Sequence, residues 1–309
     1  MLEGMSRWRG LSMAVALWVS LAGTRAATVS NGASVSLPYE LRRGHVMIDA
    51  QLNGSNALPF MLDTGYGVTL LPPGLAEGLG LRRAGRITIV GIAGEEAAGM
   101  FDGPEFDFSG LRWRPRRVAG FPGEGSQRRS RYGILGSGFF RRHVVEIDPA
   151  SGRVTLHVPE GYEYRGTGEV LPLTFQDTTP IVEGTFVREG AEPIAARFEF
   201  DLGCDGCLCL GRDFTEKHGL LPEGERSTGA RVGVGGSMKT RSARAPELRL
   251  GKLSFPSPRA SFFMEGSPVD APLAGHVGYE LLREHRLILD YARKRLIVER
   301  AGSGGKRNP

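Results

Sequence analysis

Two short stretches carry an acid where a strand interior would normally have none. Phe60-Met61-Leu62-Asp63-Thr64-Gly65 and Phe198-Glu199-Phe200-Asp201-Leu202-Gly203 each run a largely apolar segment into an aspartate, with glycine two places on. Aspartate is seldom buried without a partner. The two acids are 138 residues apart, and each is a candidate partner for the other. Carboxyls brought within a few ångströms cannot both ionise cheaply, so they share a proton. The ionised member then acts as a base on water, and the protonated one polarises a carbonyl. That combination suits amide hydrolysis without a metal or a nucleophilic side chain. Asp63 and Asp201 are therefore the candidate catalytic pair. Gly65 and Gly203 let the backbone curl so that amides reach the carboxylate oxygens.

The elements that would position these acids repeat along the chain. Beyond Asp63 comes LPPGLAEGLGL, and beyond Asp201 comes LGRDFTEKHGLL; both read as a short helix closed by glycine. Val90-Gly91-Ile92-Ala93-Gly94 then matches Val232-Gly233-Val234-Gly235-Gly236, each flanked by segments suited to a hairpin with a flexible tip. Gly133-Ile134-Leu135-Gly136 matches Gly275-His276-Val277-Gly278, and each leads to a strand ending in an acid, Asp148 and Asp290. Those last two fall before turn residues and read as hairpin positions. Four blocks in the same order indicate a duplicated domain. The join falls in GYEYRGTG, so the halves are read as 27–162 and 163–300, with a disordered tail over 301–309.

The chain has 309 residues and 45 glycines, scattered rather than periodic, which fits short strands joined by tight turns and excludes collagen-like and low-complexity readings. Residues 1–26 read as a signal peptide: Arg7 and Arg9 precede an apolar run ending at a small-x-small site near Ala26. The run is too short to span a bilayer comfortably. The expected location is thus outside the cytoplasm, periplasmic or secreted, with no membrane association beyond the leader. Without it, 36 basic residues face 33 acidic ones, too mild an excess to argue for nucleic acid. The basic cluster Gln127-Arg128-Arg129-Ser130-Arg131 reads as a solvated loop. Cys204, Cys207 and Cys209 read as buried free thiols, since such near neighbours rarely meet disulfide geometry and zinc would need four ligands, with only His218 nearby. No metal or cofactor is expected. Gly-x-Ser-x-Gly, His-Glu-x-x-His and the phosphate-binding glycine loops do not occur.

Taken together, these motifs resemble the two-lobed aspartic peptidases of the retropepsin and pepsin type, above all the bacterial retropepsin-like proteins. The resemblance covers nearly all of the chain after the leader. It implies an all-β fold of two homologous β-barrel lobes with short helices, related by a pseudo-twofold axis, and a peptide cleft between them. It implies that Asp63 and Asp201 are catalytic, with Thr64, Gly65 and Gly203 supporting their loops. Gly91, Ile92, Ala93 and Gly94 would form a flap over the substrate, with Gly233, Val234, Gly235 and Gly236 as the counterpart. Ile134-Leu135-Gly136 and His276-Val277-Gly278 would thread behind the two acids. The activity implied is endopeptidase hydrolysis of peptides or proteins by a monomer, because both acids lie in one chain.

The sequence departs from the family pattern in three places. Leu202 stands where the family has a hydroxyl that bonds reciprocally across the lobes, so Thr64 is expected to need another partner. Tyr66 and Cys204 follow the two glycines where a small residue is typical, and Tyr66 is expected to narrow the cleft or bond the substrate. His276 fills an apolar slot and reads as a satisfied core histidine. The alternative reading is therefore a degenerate two-lobed scaffold that binds peptides without cutting them.

Overall fold

The computed structural model describes residues 34–121, 131–221, 227–267 and 272–302. The expected leader, residues 127–130 of the basic cluster and the tail beyond Gly302 lie outside them. The fold is all-β, with four short α-helices, Leu75–Gly78, Ser137–Arg142, Arg212–His218 and Tyr279–Leu282, among the described residues.

Two ten-stranded sheets carry the duplication. The first follows the order Arg83–Gly91, Gly94–Asp102, Arg117–Gly120, Leu70–Leu71, Gly133–Leu135, Leu58–Leu62, His45–Leu52, Phe106–Phe108, Leu111–Trp113, with Glu40–Arg42 paired to His45–Leu52. The second follows Ser227–Gly233, Gly236–Arg244, Arg259–Phe263, Leu208–Leu210, Gly275–Gly278, Ile194–Asp201, Thr179–Val187, Glu247–Leu250, Leu253–Phe255, with Thr174–Gln176 paired to Thr179–Val187. Strand for strand, the order is the same. Several partners adjacent in space are far apart along the chain, such as Leu58–Leu62 with Gly133–Leu135 and Ile194–Asp201 with Gly275–Gly278, so the repeat is one of topology as well as of motif.

A third, six-stranded sheet takes three strands from each half. Its order is Ser34–Pro38, Arg153–His157, Val144–Asp148, His285–Asp290, Arg295–Arg300, Glu169–Pro172. The halves meet where Val145, Glu146 and Ile147 pair antiparallel with Leu289, Ile288 and Leu287. Val144, Ile288 and Ile297 form an apolar cluster there. Arg286 bridges Glu146 at 2.7 Å, tying strands of the two halves together, and pairs with Glu299 of its own half at 2.9 Å. Asp148 and Asp290 serve local turns as the sequence suggests. Asp148 accepts from the Ala150 amide, and Asp290 accepts from Arg293 and pairs with Arg295.

Beneath the first lobe, Phe60, Phe106, Phe108, Trp113, Phe139 and His143 pack with neighbouring ring centroids 4.9–6.1 Å apart. Edge-to-face and tilted pairs of this kind add about 0.5–1.5 kcal/mol each beyond their buried area. Burial pulls His143 down to about 4, so it is a neutral core histidine. This cluster forms a rigid floor under the strand that delivers Asp63.

Candidate active site

Each acid emerges from a strand held on both sides. Leu58–Leu62 lies between Gly133–Leu135, its parallel neighbour, and His45–Leu52, its antiparallel one. The chain leaves the strand at Asp63, whose amide still bonds Leu135 O at 3.1 Å. Ile194–Asp201 is held in the same way by Gly275–Gly278 and Thr179–Val187. The glycine that ends each parallel neighbour has a steric cause. A Cβ at Gly136 would lie 2.6 Å from Tyr66 O and from Val68 O, and one at Gly278 would lie 2.7 Å from Cys204 O. Only glycine lets the strand pass under the turn that follows each acid.

After each acid the chain curls back. The Gly65 amide donates to Asp63 Oδ1 at 2.9 Å, and the Gly203 amide to Asp201 Oδ1 at 2.8 Å. Each glycine also faces the opposite acid. A Cβ on Gly65 would lie 2.9 Å from Asp201 Oδ1, and one on Gly203 would collide with the Asp63 carboxyl. Two acids far apart in sequence are thereby brought to one point, and both glycines are required for the approach.

Thr64 joins the two loops. Its hydroxyl donates to Phe200 O at 2.6 Å and accepts from the Leu202 amide at 2.9 Å, fully buried. The other partner that Thr64 is expected to need is found here. Both its partners are backbone groups, and these are present whatever side chain occupies position 202. Leu202 forgoes the mirror-image bonds and is buried as hydrocarbon. Further cross-links flank the loops: His45 Nε2 lies 2.9 Å from Gly203 O, and a Cβ at Gly67 would touch Thr178 Oγ1.

The two hairpins Arg83–Gly91/Gly94–Asp102 and Ser227–Gly233/Gly236–Arg244 meet at their tips. The Ala93 amide donates to Val234 O at 3.2 Å, and the Gly235 amide to Glu96 Oε1 at 3.2 Å. The tips cross over. Val234 packs against the first half's apolar cluster of Met47, Met61, Leu70 and Ile89, and Ile92 packs against Cys209, Met238 and Phe263 of the second. Gly91 and Gly233 stand where a Cβ would strike Val234 and Ile92, and Gly235 where one would strike the Gly94 backbone. Gly236, at φ +126, has open space in the Cβ direction. All eight tip residues singled out in the sequence thus lie in these two touching turns.

Residues 48–139 match the aspartyl protease family model. The matched stretch holds Asp63-Thr64-Gly65, the first hairpin and Gly133 to Phe139. No curated protein matches the chain.

The second aspartyl loop has surroundings unlike those of the first. His276, expected as a core histidine in an apolar slot, instead points at the acids. Its Nδ1 lies 3.4 Å from Glu199 Oε2 and 3.6 Å from Asp201 Oδ2, and all three side chains are largely buried. Donor atoms of the three lie within 4.8 Å of one another, and an imidazolium supplies the positive charge such a cluster needs. Burial lowers His276, but Glu199 and Asp201 outweigh it and hold it at about 10. Burial raises Asp201, yet His276 and the Gly203 amide more than offset that, leaving it below the ordinary carboxylate value. Asp63 has the opposite balance. Burial and the charge of Asp201 raise it well above the ordinary value, against the Gly65 amide. The geometry thus favours one proton on Asp63 and a negative charge on Asp201.

Tyr66 is half-buried against the first half's apolar cluster, and its phenol is raised by burial and by the charges of Asp63 and Asp201. It therefore stays protonated as a donor beside the acids. Cys204, its counterpart, is a free thiol 3.0 Å from Cys209 Sγ, and Cys207 is also free. His218 lies tilted against Phe214, ring centroids 4.6 Å apart, in the helix Arg212–His218. Glu199 was not singled out as a site residue in the sequence, and His276 was assigned to the core. The available signal was that both positions are hydrocarbon in the first half, Met61 and Ile134.

Proposed function

We propose that the chain is an exported aspartic endopeptidase that hydrolyses peptide bonds with water activated between Asp63 and Asp201. The observation that carries this reading is the convergence of the two acids, each with its loop amide on one oxygen and the other loop's glycine against its carboxyl. The family match over 48–139 supports it. The apolar N-terminal run supports export, and two acids in one chain support action as a monomer. Among the described residues, no helix is long and apolar enough to cross a membrane.

The chemistry follows from the charge assignment. Asp201, ionised, accepts a proton from a water as the water oxygen attacks the scissile carbonyl carbon. Asp63 gives its proton to the carbonyl oxygen, producing a neutral tetrahedral diol. Collapse of the diol breaks the C–N bond. The proton on Asp201 passes to the leaving nitrogen, and a diol hydroxyl returns one to Asp63. Tyr66, which feels the charge of both acids, offers a hydroxyl donor beside them. Peptide would enter when the tips part.

The test is cleavage of an unfolded protein by the chain from Ala27 onward, from about pH 3 to 8, the span a coupled carboxyl pair covers. Asp63→Asn and Asp201→Asn are run beside it. Loss of turnover in both, by about 10²–10⁴-fold, supports the two-acid mechanism. A folded parent without turnover would instead support the peptide-binding scaffold. An Asp201→Asn variant that keeps full turnover would point to a homodimer built on Asp63.

A further inference from the structure

The two halves share strand order and glycine positions, yet differ at one pair of facing residues. In the first half Met61 faces Ile134 across parallel strands, and both are buried in hydrocarbon. At the same register in the second half Glu199 faces His276. Both are at least nine-tenths buried. Placing two ionisable groups where the sister lobe packs two hydrocarbons costs desolvation that the fold itself does not require.

Titratable groups face His276 from the strands on either side of it. Glu199 and Asp201 come from Ile194–Asp201. Cys209 comes from Leu208–Leu210, opposite His276 in the ladder, with Cys204 behind it. Phe263 contributes a ring edge at 6.4 Å, and Asp63 lies across the pair from Asp201. The acids therefore lie about the imidazole on the Asp201 side, while the first half holds Met61 and Ile134 at the positions equivalent to Glu199 and His276.

We infer that Glu199 and His276 are positioning residues that fix the negative charge on Asp201 and the proton on Asp63, so that Asp201 is the base and Asp63 the acid. The inference deepens the peptidase reading and rests on it for the words base and acid. Glu199 holds His276 protonated, and the imidazolium in turn favours the anion on Asp201. A symmetric pair would share its proton between two equivalent sites; here the choice is made by the strand beneath one of them.

The test is imidazole nitrogen NMR on the full chain labelled with ¹⁵N-histidine, with His276 identified by loss of its signal in His276→Gln. The expected result is an imidazolium persisting through about pH 8, far above the usual midpoint near 6.5. Glu199→Gln and Asp201→Asn should each lower its midpoint by about 1–3 units. An imidazole already neutral at about pH 7 in the parent overturns the inference. This readout needs no turnover. A persistent imidazolium in a chain that cleaves nothing would sink the peptidase reading while leaving the charge placement supported. Where turnover is present, His276→Gln should move the acidic limb of kcat/KM up by about 1–3 pH units, and His276→Lys should move it back. A profile that only scales down, with its limb unmoved, assigns His276 a purely structural role and overturns the inference. If His276→Gln does not fold, the Glu199→Gln midpoint decides.

Discussion

Thr64 and Leu202 occupy equivalent places after the two acids, yet the hydrogen bonding between them runs one way. Thr64 Oγ1 donates to Phe200 O and accepts from the Leu202 amide, at 2.6 and 2.9 Å, while Leu202 offers only hydrocarbon in return. Half of a reciprocal joint is enough to register the two loops, because the receiving groups belong to the backbone.

Thr64→Val should therefore be far more damaging than any change at Leu202. It strands a buried carbonyl and a buried amide, each worth about 1–3 kcal/mol, for an expected loss of about 2–6 kcal/mol. Leu202→Thr could restore the mirror-image bonds to Leu62 O and the Thr64 amide, worth about 0.5–1.5 kcal/mol each. It would also lose two buried carbons at about 0.8 kcal/mol apiece. The net change should stay within about 1.5 kcal/mol. Urea midpoints of the two variants decide it, and a Thr64→Val protein as stable as the parent would remove the joint from the account.

The crossed tips predict a different sensitivity. Gly235 has φ +86 and its Cβ direction runs into the Gly94 backbone. Gly235→Ala therefore costs about 1–2 kcal/mol from the left-handed backbone alone, charged against the closed arrangement only. Exchange of the Ala93 amide, which bonds Val234 O at 3.2 Å, should accelerate roughly tenfold. Because peptide would enter when the tips part, KM should fall by up to a similar factor, with kcat less affected. Unchanged exchange at Ala93 would mean that the tips do not depend on this contact.

How much of this was legible beforehand depends on the kind of constraint involved. Asp63, Asp201 and the glycines at 65, 203, 136 and 278 could be read in sequence because each has a local requirement that recurs in both halves. Gly136 and Gly278 recur because a Cβ at either would strike a carbonyl of the turn above. That Thr64 needs another partner is legible from Leu202, but which atoms supply it is not, since they belong to the backbone that every residue carries. Glu199 and His276 were hidden by distance along the chain. They become neighbours only when Ile194–Asp201 and Gly275–Gly278 pair in parallel. Comparing the halves position by position would have shown two hydrocarbons exchanged together for an acid and a base.

The pH profile of turnover should be wide. The proposed mechanism needs Asp201 ionised and Asp63 protonated, so its acidic limb follows Asp201 and its alkaline limb follows Asp63. His276 holds Asp201 below the ordinary carboxylate value, and burial with the charge of Asp201 holds Asp63 well above it. Activity should begin below about pH 4 and extend past the range in which free carboxyls ionise. The two apparent values belong to the pair, and a narrow bell centred on about pH 4 would contradict the asymmetry.

Stability should carry the opposite signatures of the same two acids. An unfolded aspartate titrates near about 3.9. Asp63 titrates above that in the folded chain, so the folded state holds an extra proton in the interval, and stability falls as pH rises through it. Asp201 titrates below it, so its contribution is present above about pH 4 and is lost as pH falls through the depressed value. Asp63→Asn removes a carboxyl that resists ionisation while keeping its shape. The variant should therefore be more stable than the parent at about pH 7, with the difference shrinking toward about pH 4, where Asp63 is protonated in both states. Asp201→Asn should be less stable than the parent at about pH 7, because the His276 charge loses one of its two acids, and should approach the parent in acid as that contribution vanishes. Urea midpoints at the two pH values, for all three proteins, test both signs at once. An Asp63→Asn protein that gains nothing at about pH 7 would show that Asp63 ionises as freely in the folded chain as in the unfolded one.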